Sequence, residues 1–168
     1  MELTYRKSKD SDEAIIKELI ALRFGNRDSC GVTNNLDGRY TLAFDGDTLV
    51  AMTGLNDSKF YNGLELDWTC IREEYEHNGI VYLMIKDLIN TTENYTKDIY
   101  ASCWKLGDNN IINLRHSMAK LHFTPVLYKR LMFNSKYNNC KDICVNYKEG
   151  CWCQEDLYLR KGGNKEAL

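Results

Sequence analysis

Apolar residues along this chain switch between two spacings. Glu2 to Arg6 alternates as a short strand. Asp10 or Ser11 then offers an N-cap, with Asp12 and Glu13 where acidic groups suit the helix dipole. Ile15, Ile16, Leu19, Ile20 and Leu22 recur at helical spacing up to Gly25, and residues 25–38 are polar enough to read as a loop. Tyr40–Phe44 and Thr48–Leu55 are strands joined by Asp45-Gly46, residues that tolerate positive φ in a hairpin turn. A fourth strand, Leu64–Ile71, places Glu65, Asp67, Thr69 and Ile71 on one face and Leu64, Leu66, Trp68 and Cys70 on the other. Ile80–Ile89 is apolar nearly all round, the pattern of a buried helix. Ile99–Trp104 is a fifth strand. Ile111, Leu114, Met118 and Leu121 mark a third helix, which Thr124-Pro125 ends, and Val126–Phe133 and Trp152–Arg160 supply two last strands.

The order β-α-loop-β-β-β-α-β-α-β-β predicts an α+β or α/β domain with a mixed sheet. A length of 168 residues suits one core, here residues 1–160, with 161–168 as a loose tail. The charge balance is even, 24 acidic against 22 basic residues, and a general nucleic-acid binder would carry a basic excess. No apolar run approaches the ~18 residues of a membrane helix, and Met1–Lys7 has no apolar signal segment. The expectation is a soluble, cytoplasmic protein with neither nucleic acid nor membrane as partner. In that compartment the seven cysteines would be thiols.

The best candidate for chemistry is the fourth strand, the loop after it and the buried helix. A helix start exposes unpaired N–H groups and partial positive charge, and a glycine there lets a phosphate approach the backbone. Glu76-His77-Asn78-Gly79-Ile80-Val81 occupies that place, although an ordinary strand-to-helix turn reads the same locally. His77, His116 and His122 form no ligand-like pair, and Cys70 has no base named beside it.

Ile71-Arg72-Glu73-Glu74-Tyr75-Glu76-His77-Asn78-Gly79 resembles the start of the acyl-CoA motif of the GNAT superfamily of N-acyltransferases. In that motif a strand ends in an aliphatic residue, and an [Arg/Gln]-x-x-Gly-x-[Gly/Ala] loop opens a helix. Asn109–Phe123 is similar to the family's later helix, and the Asp45-Gly46 hairpin and the Glu155–Leu159 strand also fit. The sequence departs at three points. Glu76 replaces the Arg or Gln, placing a carboxylate where a pyrophosphate would lie. Val81 replaces the small residue, so its branched side chain would crowd the phosphates. Met118 stands where many members carry a tyrosine that protonates the leaving thiolate, leaving Ser117, Tyr128 or water.

The resemblance implies a mixed, mostly antiparallel seven-stranded sheet flanked by helices. It implies acetyl-CoA as co-substrate, and a small-molecule or protein amine as acceptor. By the same resemblance Glu65 is the general base, with Asp67 on its face. A backbone N–H near Cys70 or Ile71 polarises the thioester. Residues 76–81 hold the phosphates, and Asn110 or Asn113 the pantetheine amides.

Cys140-x3-Cys144-x6-Cys151-x-Cys153 gathers four thiols that could close a structural zinc site, or remain free thiols. Three functions therefore stand: an N-acetyltransferase, a non-catalytic acyl-CoA-binding or regulatory module, and a zinc-pinned interaction domain.

Overall fold

The computed structural model describes residues 2–24, 35–58, 61–91, 96–105, 114–131 and 154–163. Among the described residues there are seven strands: β1 (Thr4–Lys7), β2 (Tyr40–Asp45), β3 (Thr48–Asp57), β4 (Leu64–Ile71), β5 (Ile99–Lys105), β6 (Thr124–Leu131) and β7 (Gln154–Arg160). They form one sheet in the order β1-β2-β3-β4-β5-β7-β6. Every neighbouring pair is antiparallel except β4 and β5. The parallel pair follows from the crossover, because a strand that returns through a helix re-enters the sheet in the same direction.

Helix α1 (Glu13–Phe24) packs Ile16, Leu19 and Ile20 on one face of the sheet, against Tyr40, Leu42 and Met52. Helix α2 (Ile80–Asn90) lies on the other face, where Ile80, Met84, Ile85 and Ile89 meet Ala51, Leu64, Ile99 and Tyr158. Helix α3 (Arg115–Lys120) adds Met118 to that second core, followed by Leu121 and Phe123. Thr124 and Pro125 already belong to β6, an edge strand, where a missing N–H costs no ladder bond.

The N-cap expected at Asp10 or Ser11 is replaced by a 3-10 turn over Asp10–Asp12. Asp12 is the residue that organises it. Its carboxylate accepts the Lys9 N–H at 2.8 Å and both terminal nitrogens of Arg6 at 2.6 and 2.7 Å. The Arg6 bond first, and the Lys9 N–H with it, holds the Asp12 carboxyl below its usual range against the opposing effect of burial. A lowered folded pKa stabilises above the unfolded value of 3.8 and fades as pH falls below it. Asp12→Asn should therefore cost about 1–2 kcal/mol at pH 7, with the difference shrinking below pH 3.8, as chemical denaturation across pH would read.

Lys161 and Gly162, at the start of the expected tail, are held to Asp98 by a 2.7 Å ion pair and a 2.9 Å backbone N–H bond. No described helix is long and apolar enough to cross a membrane.

Candidate active site

Strands β4 and β5 share only two register pairs, Leu64↔Ile99 and Glu65↔Tyr100. Beyond them β4 runs on to Ile71 with no described strand on that edge, while β5 keeps β7 along its whole length. From Leu66 to Ile71 no register pair joins the two strands, which leaves a slot between them among the described residues.

One inserted residue shapes its wall. Between Met52↔Cys70 and Gly54↔Asp67, β4 uses one residue more than β3, and Trp68 takes φ +34°. This β-bulge resets the alternation. Leu64 and Leu66 face the α2 side. Asp67 bonds to Tyr40 on the α1 side, and Trp68 and Cys70 pack there too. Ile71 returns to the α2 side. The single face expected for Glu65, Asp67, Thr69 and Ile71 is thus broken: Glu65 and Asp67 share the α1 side, and Ile71 does not.

The backbone at the wide end is set by one bond. Arg72 N–H donates to Val50 O at 2.8 Å. In an antiparallel ladder this makes Ile71↔Ala51 a non-hydrogen-bonded pair. The Ile71 N–H therefore points away from β3, into the slot, whereas the Cys70 N–H faces β3.

The chain then turns through Glu73–Tyr75 into α2. Several bonds pin this turn. Arg72 Nε donates to Leu49 O and Arg72 Nη2 to Glu18, both at 2.8 Å. The Tyr75 hydroxyl donates to Asp45 at 2.8 Å, a bond that holds the phenol above its ordinary range. Arg23 Nη2 donates to Glu76 Oε1. Gly79, at φ +74°, stands at the mouth of α2, and no side chain caps the helix. A Cβ built on Gly79 meets nothing within 4 Å, so the mouth is open among the described residues.

Val81 does not crowd this mouth. Its side chain is 7% exposed and lies in the α2-side core, as does Ile80, so both offer only backbone N–H groups. His77 and Asn78 are exposed on the turn. Met118 is fully buried in the α2-side core, and its thioether carries no proton to donate.

At the narrow end Glu65 accepts a bond from Ser58 Oγ at 2.9 Å. Asp67 Oδ2 accepts from Arg39 Nη2 (2.7 Å), the Tyr40 hydroxyl (3.0 Å) and Asn56 Nδ2 (3.2 Å). Burial, and then the charge of Asp67, pushes the Tyr40 phenol far above its ordinary range, so it stays a neutral donor. Tyr100, the register partner of Glu65 on β5, stacks on Tyr61 with ring centroids 4.4 Å apart. Sequence reasoning missed Arg23, Arg39, Tyr40 and Asn56, whose partners lie far away along the chain. Asn110, Asn113 and the four cysteines at 140, 144, 151 and 153 lie outside the described residues. Among the described residues, no three His, Cys, Asp or Glu side chains gather to hold a metal.

As a sequence, the chain matches no family model and no curated protein significantly. As a structure it matches well. The ribosomal-protein-S18-alanine N-acetyltransferase of Escherichia coli superposes with a TM-score of 0.69 at 11% identity, covering 99% of both chains. A GNAT-family acetyltransferase of Bacillus cereus gives 0.65 at 13%, covering 98% of this chain and 100% of the other.

The chain has the GNAT acyltransferase fold.

Another protein of this fold, the diaminobutyrate acetyltransferase EctA of Paenibacillus lautus, was solved with diaminobutyric acid and coenzyme A. It gives a TM-score of 0.61 at 14% identity and covers 98% of each chain. The GNAT fold is thus reached here with almost no shared sequence. What the chains have in common is the order of elements and the sheet topology.

Proposed function

We propose that the protein is an N-acetyltransferase that moves the acetyl group of acetyl-CoA to an amine acceptor by direct attack. The observation that carries this reading is the slot between β4 and β5, open at its wide end onto the uncapped amides of α2 at Gly79. Unpaired N–H groups with the positive end of a helix dipole suit a pyrophosphate. The edge of β4 that no described strand covers suits the two amides of a pantetheine arm, and the Ile71 N–H is directed at that arm.

The arm's length places the chemistry. From phosphate oxygen to sulfur it has about as many bonds as four residues of extended chain, on the order of 14 Å. Anchored at α2, it passes Ile71 and delivers its thioester toward the bulge at Trp68. Backbone N–H groups on the slot edge of β4 polarise the thioester oxygen there. Glu65, on the α1 side, takes a proton from the acceptor amine directly or through water. The nitrogen lone pair then forms the C–N bond. The tetrahedral intermediate gives up the surplus proton on its nitrogen to water and collapses, the C–S bond breaks, and the thiolate takes a proton from water, since the Met118 thioether has none to give. Asp67, fixed by Arg39, Tyr40 and Asn56, orients the acceptor's ammonium before it loses its proton. The neighbours' names include a small amine, diaminobutyrate, and a protein amine, S18 alanine, and both classes remain candidate acceptors.

The buried Met118 also favours a second reading, a module that binds acyl-CoA without turnover. Calorimetry with CoA tests what the two share, with an expected Kd between about 1 μM and 1 mM. Acetyl-CoA consumption with a panel of amines separates them, and no turnover with any amine would leave the binding module.

A further inference from the structure

The turn that opens α2 is the wrong sign for its proposed ligand. From residue 73 to 79 it carries Glu73, Glu74 and Glu76 and no lysine or arginine. Glu76 is the most serious, because it lies three residues before Gly79, at most about 11 Å away along the chain. Arg72 beside it is occupied, with Nε on Leu49 O and Nη2 on Glu18. An anion at the α2 amides needs a cation from elsewhere in the fold.

The structure brings one from α1. Arg23 stands in the last turn of that helix, where a cation also suits the negative end of the dipole. Its Nη2 donates to Glu76 Oε1. Among the described residues, Arg23 Nε and Nη1 have no hydrogen-bond partner, which leaves part of the guanidinium fork unused. The arginine side chain is 30% exposed and the glutamate 13%, so the pair turns its guanidinium outward and its carboxylate inward.

We infer that Arg23 is a binding residue for the diphosphate of the acyl carrier, neutralising Glu76 with one nitrogen and presenting the remaining donors to the phosphates. The inference rests on the acyltransferase reading and adds a residue on another element, 53 positions from its partner. Glu76 then serves as the holder of this arginine. An arginine–phosphate contact of this kind is charge-assisted and bidentate in reach.

The test compares two acyl donors, acetyl-CoA and acetyl-pantetheine, which lacks the diphosphate. Arg23→Gln should weaken CoA binding about 10- to 100-fold by calorimetry and raise the KM for acetyl-CoA accordingly. Its kcat/KM with acetyl-pantetheine should stay within about twofold of wild type. The charge-swapped variant Arg23→Glu/Glu76→Arg keeps the ion pair and puts the guanidinium on the turn. It should hold CoA within about tenfold of wild type, and it covers the case in which Arg23→Gln does not fold. Wild-type protein that fails to bind CoA overturns this inference together with the function it rests on. Wild type that binds, with Arg23→Gln binding equally, overturns this inference alone. So does an equal loss with both donors, which would make Arg23 a structural strut.

Discussion

Glu65→Gln should lower the kcat of acetyl transfer by about 10²–10³-fold while leaving CoA binding unchanged. An alkylamine of pKa about 10.4 must give up a proton before it can attack, at a cost of about 4–5 kcal/mol at pH 7. A glutamine in place of Glu65 keeps the size and the capacity to accept the bond from Ser58 Oγ, so the change removes basicity and little else. The pH dependence carries the sign of the argument. As pH rises toward the acceptor's own pKa, free amine becomes plentiful and the base is needed less, so the gap between variant and wild type should narrow above about pH 9. Stopped assays from pH 6 to 10 on both proteins would show it. Equal rates across that range would remove Glu65 from the mechanism, and the same series on Asp67→Asn would then show which carboxylate matters.

Gly79→Asp should abolish CoA binding, by more than about 100-fold, without unfolding the protein. The folding side is favourable, because a Cβ at Gly79 meets open space and aspartate visits the left-handed region at a cost of about 1–2 kcal/mol. The binding side is not. A carboxylate about 5 Å from a phosphate, at an effective dielectric near 20, is repelled by roughly 3 kcal/mol per pair of charges. Gly79→Asn has the same shape and the same backbone strain with no charge, and it should bind within about tenfold of wild type. Calorimetry separates the two, and thermal melts confirm that they fold alike. Equal affinity in the Gly79→Asp and Gly79→Asn proteins would place the anion elsewhere.

The succession of strands and helices was readable because each element buries one face or all of it. Residues 80–89 do form a helix, but it is not buried all round: α2 buries one face, Ile80, Val81, Met84, Ile85, Leu88 and Ile89, while Leu83 and Asp87 are exposed on the other. The hairpin at Asp45-Gly46 was readable from local chemistry, and Gly46 does take φ +56°. The bulge was not. Trp68 carries no glycine or proline signal, and its positive φ exists only because β3 and β4 register on both sides of it. The faces of Trp68, Thr69, Cys70 and Ile71 were therefore all misread by one step. Val81 was misjudged for a related reason: its position before the helix core was visible, but the direction of its side chain depends on how α2 lies on the sheet. The arginines failed differently. Arg23 meets Glu76 across 53 positions, and Arg39 meets Asp67 across 28. No spacing rule reaches that far. The departure at Glu76 did mark a place where the fold needed a compensating charge, and that was the one available hint.

A sheet interrupted inside has four rims instead of two. The outer rims, β1 and β6, are ordinary hazards for stray pairing between molecules. The inner rim of β4 offers the same ladder of amides to anything extended that slides in, and a peptide strand would satisfy it as well as a pantetheine arm. Main-chain pairing therefore cannot tell carrier from polypeptide. Discrimination has to come from the terminus of the guest, where only a molecule ending in phosphates finds both the helix mouth at Gly79 and the guanidinium of Arg23.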